Sequence, residues 1–526
     1  MVVEEGASAR CSFLADTSDL PPRTPRQFAG RVEFDLHTNT NTAAPTSFLA
    51  LYNNTQRQAQ PTGALGIDVG HTFLSIVLRC ATMAAAGADE TGLTRVVAFG
   101  SNLFCQLRPD SLEEGKAAFA GATISIEDAA SVVAVCTSQT VYRTHTGGIH
   151  VLGDGAQLLQ DLLRALPNPS AAVFVGQDVF EVVLEHNTGA CHFLDYEAQE
   201  ALTVTCAAPV WKTAVADGRG RCMALDVDGC AYLFSSIAAL RHATEASREA
   251  TTLRELSRFV AYTYNQVKPA QADSSLPRFV AVAAGNAHFV LLADQAVRTE
   301  APVWVYGDAR FGAVPTHPDT DTALVGAIRA QLDTSPTADV TDGRLLQALP
   351  TFSRAEGFPC RIGAIAAGGR HSLALSEHGD VYGWGWNEHA NLKPIAPCSS
   401  TEVPAWHRNM LADPTPLDMP ELNGHDVCIA NIAGAEGRTL AVSTDGTLLV
   451  AGCNQDGALG LDRAALGGVP RKPRFERSFS QIKSPFECVN GVQAHPGWTR
   501  RKVVSVHATA LATFVTVDSS MDEARK

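Results

Sequence analysis

The chain has 526 residues, 45% of them hydrophobic and 18% charged, and its 41 Lys and Arg against 55 Asp and Glu give a net charge of −14. This length and composition allow a large buried core, while the acidic balance opposes affinity for the nucleic-acid backbone, so we expect no direct DNA binding. The 13 cysteines are odd in number and include no C-x-x-C pair, which argues against a disulfide framework and a zinc ribbon.

The chain begins with a segment, residues 1–45, that is rich in Ser, Thr, Pro and Asn and has no sustained hydrophobic periodicity. Such a composition predicts disorder. The first residues, MVVEEGASAR, are polar and acidic, and no apolar run approaches membrane-spanning length. We therefore expect an intracellular protein of the cytoplasm, the nucleus or both, with no membrane association.

Weak copies of a two-strand pattern follow. In each, apolar and polar residues alternate with a period of two and are broken by a turn dipeptide, which is the signal of a β-hairpin. Ser47–Gln58 looks like a second half without a first, and Ile67–Leu78 is interpreted as a first half completed by Val96–Leu107. Further copies begin at Val133 and Val173.

One of these segments, GIDVGHTFLS at Gly66–Ser75, resembles the first phosphate loop of the actin-like ATPases. Asp68 matches the aspartate of that loop, but His71 replaces its hydroxyl residue. The rest of the chain shows hairpins instead of alternating strands and helices. We therefore do not predict an ATPase.

The next copies are clearer. Val215–Phe234 is followed by a segment with helical periodicity, in which Leu253, Leu256, Phe259 and Val260 share one face, and Val282–Leu292 is completed by Val303–Gly312. The helix is expected to cap a blade, with partner binding as the alternative. Cysteines on the predicted strands are interpreted as small buried thiols: Cys222, Cys230 and Cys453.

The strongest copies lie in the last third of the chain. They are Ile365–Leu392 and Ile432–Gly460, in which Gly379 and Gly446 both fall 14 residues after the leading Ile. Val504–Val515 is a first half with no second half after it. Since one orphan half lies near each end of the chain, we predict a ring closed by pairing strands from opposite ends, which removes exposed sheet edges.

The sequence thus predicts an all-β propeller over residues 46–518, followed by a tail at 519–526. Eight candidate first halves begin near residues 67, 133, 173, 215, 282, 365, 432 and 504, so either seven blades with one false unit or eight blades fit the count. The remaining long stretches are predicted insertions: 237–268, 315–358, 393–427 and 463–500.

The segment GGRHSLALSEHGDVYGWGWN resembles the signature of the regulator of chromosome condensation repeat family. The resemblance implies a seven-bladed propeller with four-stranded blades, in which the glycine pair lets strands approach near the channel and the Trp-Gly pair fills space between blades. It also implies structural roles for Gly368, Gly369, His371, Ser372, Leu375, Gly379, Trp384 and Gly385.

No phosphate-binding loop, zinc-protease motif, nucleophile elbow or calcium-binding loop occurs in the sequence, so we predict a noncatalytic monomeric scaffold that needs no cofactor or metal. The resemblance extends to family members that partner a histone demethylase and to alpha-tubulin suppressor members. It implies a protein partner: a demethylase-type enzyme, tubulin, or a small metal-binding protein of the wobble-tRNA and diphthamide pathways. The alternative is guanine nucleotide exchange on a small GTPase of the Ran class.

Two groups of residues are candidates for partner binding. Trp386, Asn387 and His389 follow the Trp-Gly pair and should lie at a blade edge, although inter-blade packing is an equal alternative for Trp386. The second group is a basic loop with interleaved aromatics, for which a solvated loop is the alternative. It contains Arg471, Lys472, Arg474, Arg477, Trp498, Arg500 and Arg501.

Overall fold

Seven sheets form the blades of a β-propeller, which confirms the fold class that the repeats predict. The computed structural model describes sixteen ranges of the chain, all within the larger of two compact units, residues 63–526. They are residues 94–107, 124–126, 128–185, 188–205, 210–247, 264–266, 268–269, 277–295, 301–309, 311–314, 345–353, 357–394, 409–454, 457–461, 488–495 and 502–518.

The described elements are 28 strands and two α-helices. In chain order the first strands are β1 (Thr94–Gly100), β2 (Ile124–Ile126), β3 (Ala129–Val135), β4 (Gln139–Thr144), β5 (Ile149–Gly153), β6 (Ala172–Gly176), β7 (Phe180–Glu185), β8 (Ala190–Asp195), β9 (Glu200–Thr205), β10 (Trp211–Ala216), β11 (Cys222–Asp226), β12 (Ala231–Phe234), β13 (Tyr264–Gln266) and β14 (Lys268–Pro269). They continue as β15 (Phe279–Ala284), β16 (His288–Ala293), β17 (Val303–Gly307), β18 (Leu345–Ala348), β19 (Ile362–Ala367), β20 (His371–Ser376), β21 (Val381–Trp386), β22 (Met410–Pro416), β23 (Ile429–Ala435), β24 (Arg438–Ser443), β25 (Leu448–Cys453), β26 (Cys488–Ala494), β27 (Lys502–Ala508) and β28 (Ala512–Asp518). The helices are α1 (Ala156–Ala165) and α2 (Ile237–Ser247).

Each blade is a run of neighbouring strands. We number the blades by their strands: blade 1 is β3–β5, blade 2 is β6–β9, blade 3 is β10–β13, blade 4 is β15–β18 with β14 added, blade 5 is β19–β22, and blade 6 is β23–β26. Blade 7 has the order β27, β28, β1, β2. The first strands of successive blades contact one another around the ring, so they surround its axis.

The hydrophobic core is divided into layers between blades. Each buried cluster combines residues of neighbouring blades, as where Val305 of blade 4 and Trp384 of blade 5 share one cluster. The apolar residues on both faces of the inner strands are therefore buried, because each face meets a neighbouring blade.

The ring is closed by strands from distant parts of the chain. β1 pairs antiparallel with β28 from Thr94↔Asp518 to Gly100↔Ala512, so Val96–Leu107 completes the C-terminal first half and its predicted pairing with the unit at Ile67 is wrong. Ser47–Gln58, the other predicted half-unit for the closure, lies outside the described residues, as does the unit at Ile67. The other seven predicted first halves each begin a blade, which resolves the count to seven.

Six of the seven inner strands carry a β-bulge near their start, at the third residue in β27 and at the second in the other five, where the pairing with the next strand skips one position. A bulge at this place increases the local twist of the strand, which turns the blade away from the axis. The skipped residues are Ala130, Lys212, Val280, Gly363, Ala430 and Val504.

The four stretches predicted as insertions each contain an outer strand of a blade. β13 lies in 237–268, β18 in 315–358, β22 in 393–427 and β26 in 463–500. The sequences of these strands show little apolar alternation, so periodicity did not reveal them.

Helix α2 begins the first of these stretches and forms part of the helix that the sequence predicts. Its Ala239, Leu240 and Ala243 pack in the cluster that holds Trp211, and Trp211 Nε1 donates a hydrogen bond to Thr244 Oγ1 at 3.1 Å. The helix thus covers the layer between blades 2 and 3. The predicted face at Leu253, Leu256, Phe259 and Val260 lies outside the described residues.

Blade 1 has three strands, and helix α1 covers the edge of β5. The side-chain amide of Gln160 takes the place of a strand there: its Oε1 accepts a hydrogen bond from Val151 N–H at 2.9 Å and its Nε2 donates to Ile149 O at 3.0 Å. Leu159 and Leu163 are buried on the same side of the helix as Gln160. The N–H of Val151 and the carbonyl of Ile149 at the edge of blade 1 therefore have hydrogen-bond partners without a fourth strand.

Replacing Gln160 by Leu should lower the free energy of unfolding by about 2–4 kcal/mol, because the N–H of Val151 and the carbonyl of Ile149 would both stay buried without partners. Urea unfolding followed by circular dichroism measures this change. Gln157→Leu, on the exposed side of the same helix, is the matched control and should change stability by less than about 0.5 kcal/mol. Equal effects of the two variants would contradict the role given to Gln160.

Of the three cysteines predicted to be core residues, Cys222 and Cys453 are buried and Cys230 is exposed. The expectation for Cys230 is wrong because this residue directly follows the turn at Gly229, which has a positive φ of 82°, and precedes β12. No helix in the described ranges is long and apolar enough to cross a membrane.

Candidate interaction surface

The signature histidines link neighbouring blades. His371 is the first residue of β20, and its Nε2 lies 3.2 Å from Thr439 Oγ1 in blade 6. His288 holds the equivalent place in blade 4, where its Nε2 lies 2.8 Å from Ser372 Oγ in blade 5. We expected these histidines to be structural; the structure shows that each one bridges to a hydroxyl of the next blade.

Two arginines take the same position in other blades and preserve the link. Arg438 donates through Nη2 to the carbonyls of Thr509 and Ala510 in blade 7. Arg221 donates through Nη2 to Ala287 O in blade 4 at 2.9 Å. The His-to-Arg differences among the repeats therefore change the bonding group and keep a bond across the blade junction.

Burial lowers the pKa of His288 to about 4 and that of His371 to about 3. Unfolding exposes both imidazoles, which then take up protons below about pH 6.5. The stability that the folded protein gains by keeping both imidazoles neutral is therefore fully present above pH 6.5, and it is lost as the pH falls toward 4. When the pH falls from 7.5 to 5.5, we expect each of the two histidines to lower the free energy of unfolding by about 1 kcal/mol.

Urea unfolding at these two pH values tests this expectation. His288→Gln should make the pH dependence shallower, whereas the matched control His145→Gln changes an exposed residue and should leave the slope as it is. An unchanged slope in the His288 variant would contradict the protonation argument.

Two signature glycines are required by close approaches. A Cβ on Gly368 would lie 2.1 Å from the His371 ring. Gly385 pairs with His371, has a φ of 100°, and a Cβ there would lie 2.6 Å from Arg370 O. Leu375 and Trp384 are buried in the layers between blades, and Trp384 Nε1 donates to Ala313 O at 3.0 Å.

The loop after the third strand is fixed by a buried asparagine in three blades. In blade 5 the Oδ1 of Asn387 accepts a hydrogen bond from Leu392 N–H at 2.8 Å, and Asn387 is 1% exposed. Asn102 and Asn454 accept from the residue five positions later in the same way, at 2.7 and 2.9 Å. Asn387 thus shapes the loop, and its burial places it away from any contact surface.

Beside this loop, side chains from two blades form a group that we call the rim cluster: Phe311, Arg370, Trp386 and Glu388. The Arg370 guanidinium lies 4.4 Å from the centre of the Phe311 ring. Trp386 meets the same ring edge-on, with centroids 5.6 Å apart, and donates through Nε1 to Glu388 Oε2 at 3.0 Å. All four residues are partly exposed.

The rim cluster lies on the propeller face that carries the turns between first and second strands. Other side chains on this face are bonded across blades: Asn286 Nδ2 donates to Glu436 Oε2 at 3.0 Å, and Arg219 Nη2 lies 2.5 Å from Asp308 Oδ2. By strand register Asp308 occupies the place of Trp386 in blade 5, and Ala309 stands where other loops carry the capping asparagine. Blade 4 therefore has an inter-blade ion pair at the position where blade 5 has an aromatic side chain.

The model of the regulator of chromosome condensation (RCC1) repeat matches residues 364–390, which span the inner three strands of blade 5. Residues 364–390 thus carry an RCC1 repeat, within a chain that folds as a seven-bladed β-propeller. The chain is similar to RCC1 domain-containing protein 1 of Mus musculus, with 51% identity over 49 residues, which cover 9% of this chain and 11% of that protein. It is also similar to the ultraviolet-B receptor UVR8 of Arabidopsis thaliana, with 43% identity over 54 residues, which cover 10% of this chain and 11% of the receptor.

These matches span about a ninth of the curated relatives' length, so they concern one repeat. Across the whole propeller the fold is similar to the crystal structure of Prp20p from Saccharomyces cerevisiae, with a TM-score of 0.51, 15% identity, and coverage of 83% of this chain and 94% of that one. This likeness establishes the fold of the RCC1-repeat propeller.

The predicted contact residues of this RCC1-repeat propeller have different places. Trp386 lies in the rim cluster, and the ring of His389 is partly buried over Gly437, where a Cβ would come within 2.3 Å of it. The basic loop lies outside the described residues, so Arg471, Lys472, Arg474, Arg477, Trp498, Arg500 and Arg501 remain predictions.

Sequence reasoning missed Phe311 and Arg370 as members of the cluster. Arg370 directly precedes the signature histidine, and Phe311 lies in the loop after the third strand of the preceding blade. Alignment of the repeats would place Phe311 at the position of His389. No pattern within one repeat shows that these two side chains meet.

A row of polar side chains crosses blade 2. His192 Nε2 lies 2.8 Å from Glu185 Oε1, and its Nδ1 lies 2.9 Å from Thr203 Oγ1. The three residues sit side by side on β7, β8 and β9, so the row ties the outer strand to its blade. Within the described ranges no group of three His, Cys, Asp or Glu is placed to hold a metal ion.

Proposed function

We propose that this RCC1-repeat propeller is a noncatalytic scaffold that binds a partner protein through the rim cluster. The observation that carries the proposal is the partly exposed contact of Phe311, Arg370 and Trp386 on one face of the ring. Tryptophan and arginine supply a large share of the binding energy in protein interfaces. Their grouping at a solvent boundary favours a protein-contact surface.

The cluster is held before any partner binds. Trp386 ends β21 and its indole is oriented by Glu388, while Arg370 sits in the turn between β19 and β20 and rests on Phe311. Fixed side chains lose little conformational entropy on binding, which raises affinity for a given contact area.

The class of partner follows from resemblance and remains part of the proposal. Family resemblance implies a demethylase-type enzyme, tubulin, or a small metal-binding protein of the wobble-tRNA and diphthamide pathways. Among solved neighbours, the structure of Prp20p is described together with its binding properties to Gsp1p and histones. All of these are proteins, which agrees with a rim that combines aromatic and charged groups.

Affinity purification of the full chain from its native host, with quantitative mass spectrometry, tests the proposal. Arg370→Ala and Trp386→Ala should each reduce recovery of the specific partner by about tenfold or more, as expected for interface hot spots. Arg361→Ala is the matched control, since Arg361 is an exposed arginine that bonds Gln295 O, away from the cluster. Retention of the partner by both cluster variants, with folding unchanged by circular dichroism, would reject this surface.

The alternative is guanine nucleotide exchange on a Ran-like GTPase. It is supported by the shared fold with Prp20p, whose crystal structure was described together with its binding to Gsp1p. Release of labelled GDP from purified Ran separates the two functions. Acceleration by the full chain would replace the scaffold proposal, and an unchanged release rate would favour it.

A further inference from the structure

We propose that β9, the outer strand of blade 2, is a docking edge for an extended, uncharged segment of a partner protein, which pairs with it as a fifth strand. This site is separate from the rim cluster. It would add a second kind of contact, made chiefly by the main chain.

Among the described strands, β9 pairs with β8 along one side and with none along the other. All six residues of the strand, EALTVT, pair with β8, from Ala190↔Thr205 to Asp195↔Glu200. Every residue except Val204 is exposed, and Leu202 is 40% exposed. After Glu200 the strand contains no charged residue and no proline, the features that usually protect a sheet edge from further pairing.

Three other blades close or interrupt their outer edges. Blade 1 satisfies the edge of β5 with the Gln160 amide. Blade 4 receives β14, which ends at Pro269 and pairs in parallel with β18. The outer strand of blade 5, β22, contains Pro414 and Pro416, which have no N–H to offer. Compared with these edges, β9 is uninterrupted along its six residues and carries no charge after Glu200.

The strand is also held in a fixed position. The bond between Thr203 Oγ1 and His192 Nδ1, with Glu185 behind it, anchors β9 to its blade. Helices α1 and α2 both contact β9, yet five of its six residues stay exposed. A preformed edge of this kind does not have to be ordered when a partner binds.

The chemistry of the edge defines its partner. A row of alternating backbone N–H and carbonyl groups is satisfied by another extended chain. Leu202 offers an apolar contact on one face of the strand, and Thr203 and Thr205 lie on the other face. The edge presents no charge from Ala201 to Thr205 that would select an acidic or basic segment. The fitting occupant is therefore a strand rich in β-branched or apolar residues.

Selection of a displayed library of short peptides without charged residues, on the immobilised full chain, tests the proposal. Enriched peptides should bind the purified chain and slow amide exchange over residues 200–205. Leu202→Lys should weaken their binding by about tenfold or more, because a lysine on the edge opposes strand addition. Thr205→Lys is a second variant with the same expected direction.

Leu103→Lys is the matched control, since Leu103 is 39% exposed and lies in the loop after β1. It should leave peptide binding unchanged, and circular dichroism checks that all variants fold. The proposal is overturned if no peptide is enriched, if binding ignores both β9 variants, or if protection appears elsewhere. It is also overturned if light scattering shows a dimer that Leu202→Lys dissociates, because the occupant would then be a second copy of the chain.

Discussion

Proline in place of Val515 is expected to open the ring and abolish stable folding. Val515 lies in the middle of β28, opposite Val506 of β27 and Val97 of β1, and its side chain is fully buried between blades 6 and 7. Proline has no N–H and clashes with neighbouring backbone, so it is confined to the edges of sheets. At the centre of the closing sheet it would separate β1 from the C-terminal hairpin.

We expect a loss of more than about 4 kcal/mol, the range of exceptional single substitutions. Soluble yield, urea unfolding and amide exchange of β1 measure it. Val515→Ala is the matched control, because it removes two methyl groups and keeps the N–H; it should cost about 1–3 kcal/mol and leave β1 protected. If the proline variant were no less stable than the alanine variant, closure through β28 would not hold the ring together.

Arg438→Ala is expected to have the second largest effect, a loss of about 3–5 kcal/mol. Arg438 is 1% exposed, and its guanidinium bonds two carbonyls in the turn between β27 and β28. Removing the side chain leaves the buried carbonyl of Thr509 and the partly buried carbonyl of Ala510 without these donors, and it creates a cavity at the last blade junction. The change should appear in the urea midpoint.

The Arg438→His variant separates the effect of losing the hydrogen bond across the blade junction from the effect of losing side-chain volume. In the neighbouring blade His371 faces Thr439, and the residue of blade 7 that corresponds to Thr439 is Thr513. A histidine at 438 can therefore use the same pairing, and we expect it to recover at least about half of the stability lost in the alanine variant. Equal instability of the two variants would show that these positions are not interchangeable.

Hairpin periodicity predicts the fold well because each blade is built from local pairs. The copies at Ile365 and Ile432 show the unit in full, and seven of the eight predicted first halves begin blades. The closing pair was assigned wrongly, because alternation shows that Val96–Gly100 is a strand without showing whether its partner precedes it or lies 400 residues later. Pairing between chain ends depends on the completed ring.

The candidate site was less predictable from the sequence, because it too depends on contacts that form only in the completed ring. Trp386 stands out because the repeat core does not require it. Phe311 and Arg370 join it only through the packing of blade 4 against blade 5. Asn387 looked like a surface residue, although the recurrence of an asparagine five residues before a leucine, as at Asn454 and Leu459, was the available signal of a loop cap.

The pairing of Thr94–Gly100 with Ala512–Asp518 has a consequence for synthesis on the ribosome. β1 is among the earliest described segments to emerge, yet its neighbour β28 is translated about 400 residues later, and at about 5–20 residues per second the wait is tens of seconds. During that time the nascent chain displays an apolar strand, a target for chaperones that shield such segments. A chain interrupted just before Ala512 would contain every other described strand and still lack β28, the closing partner of β1.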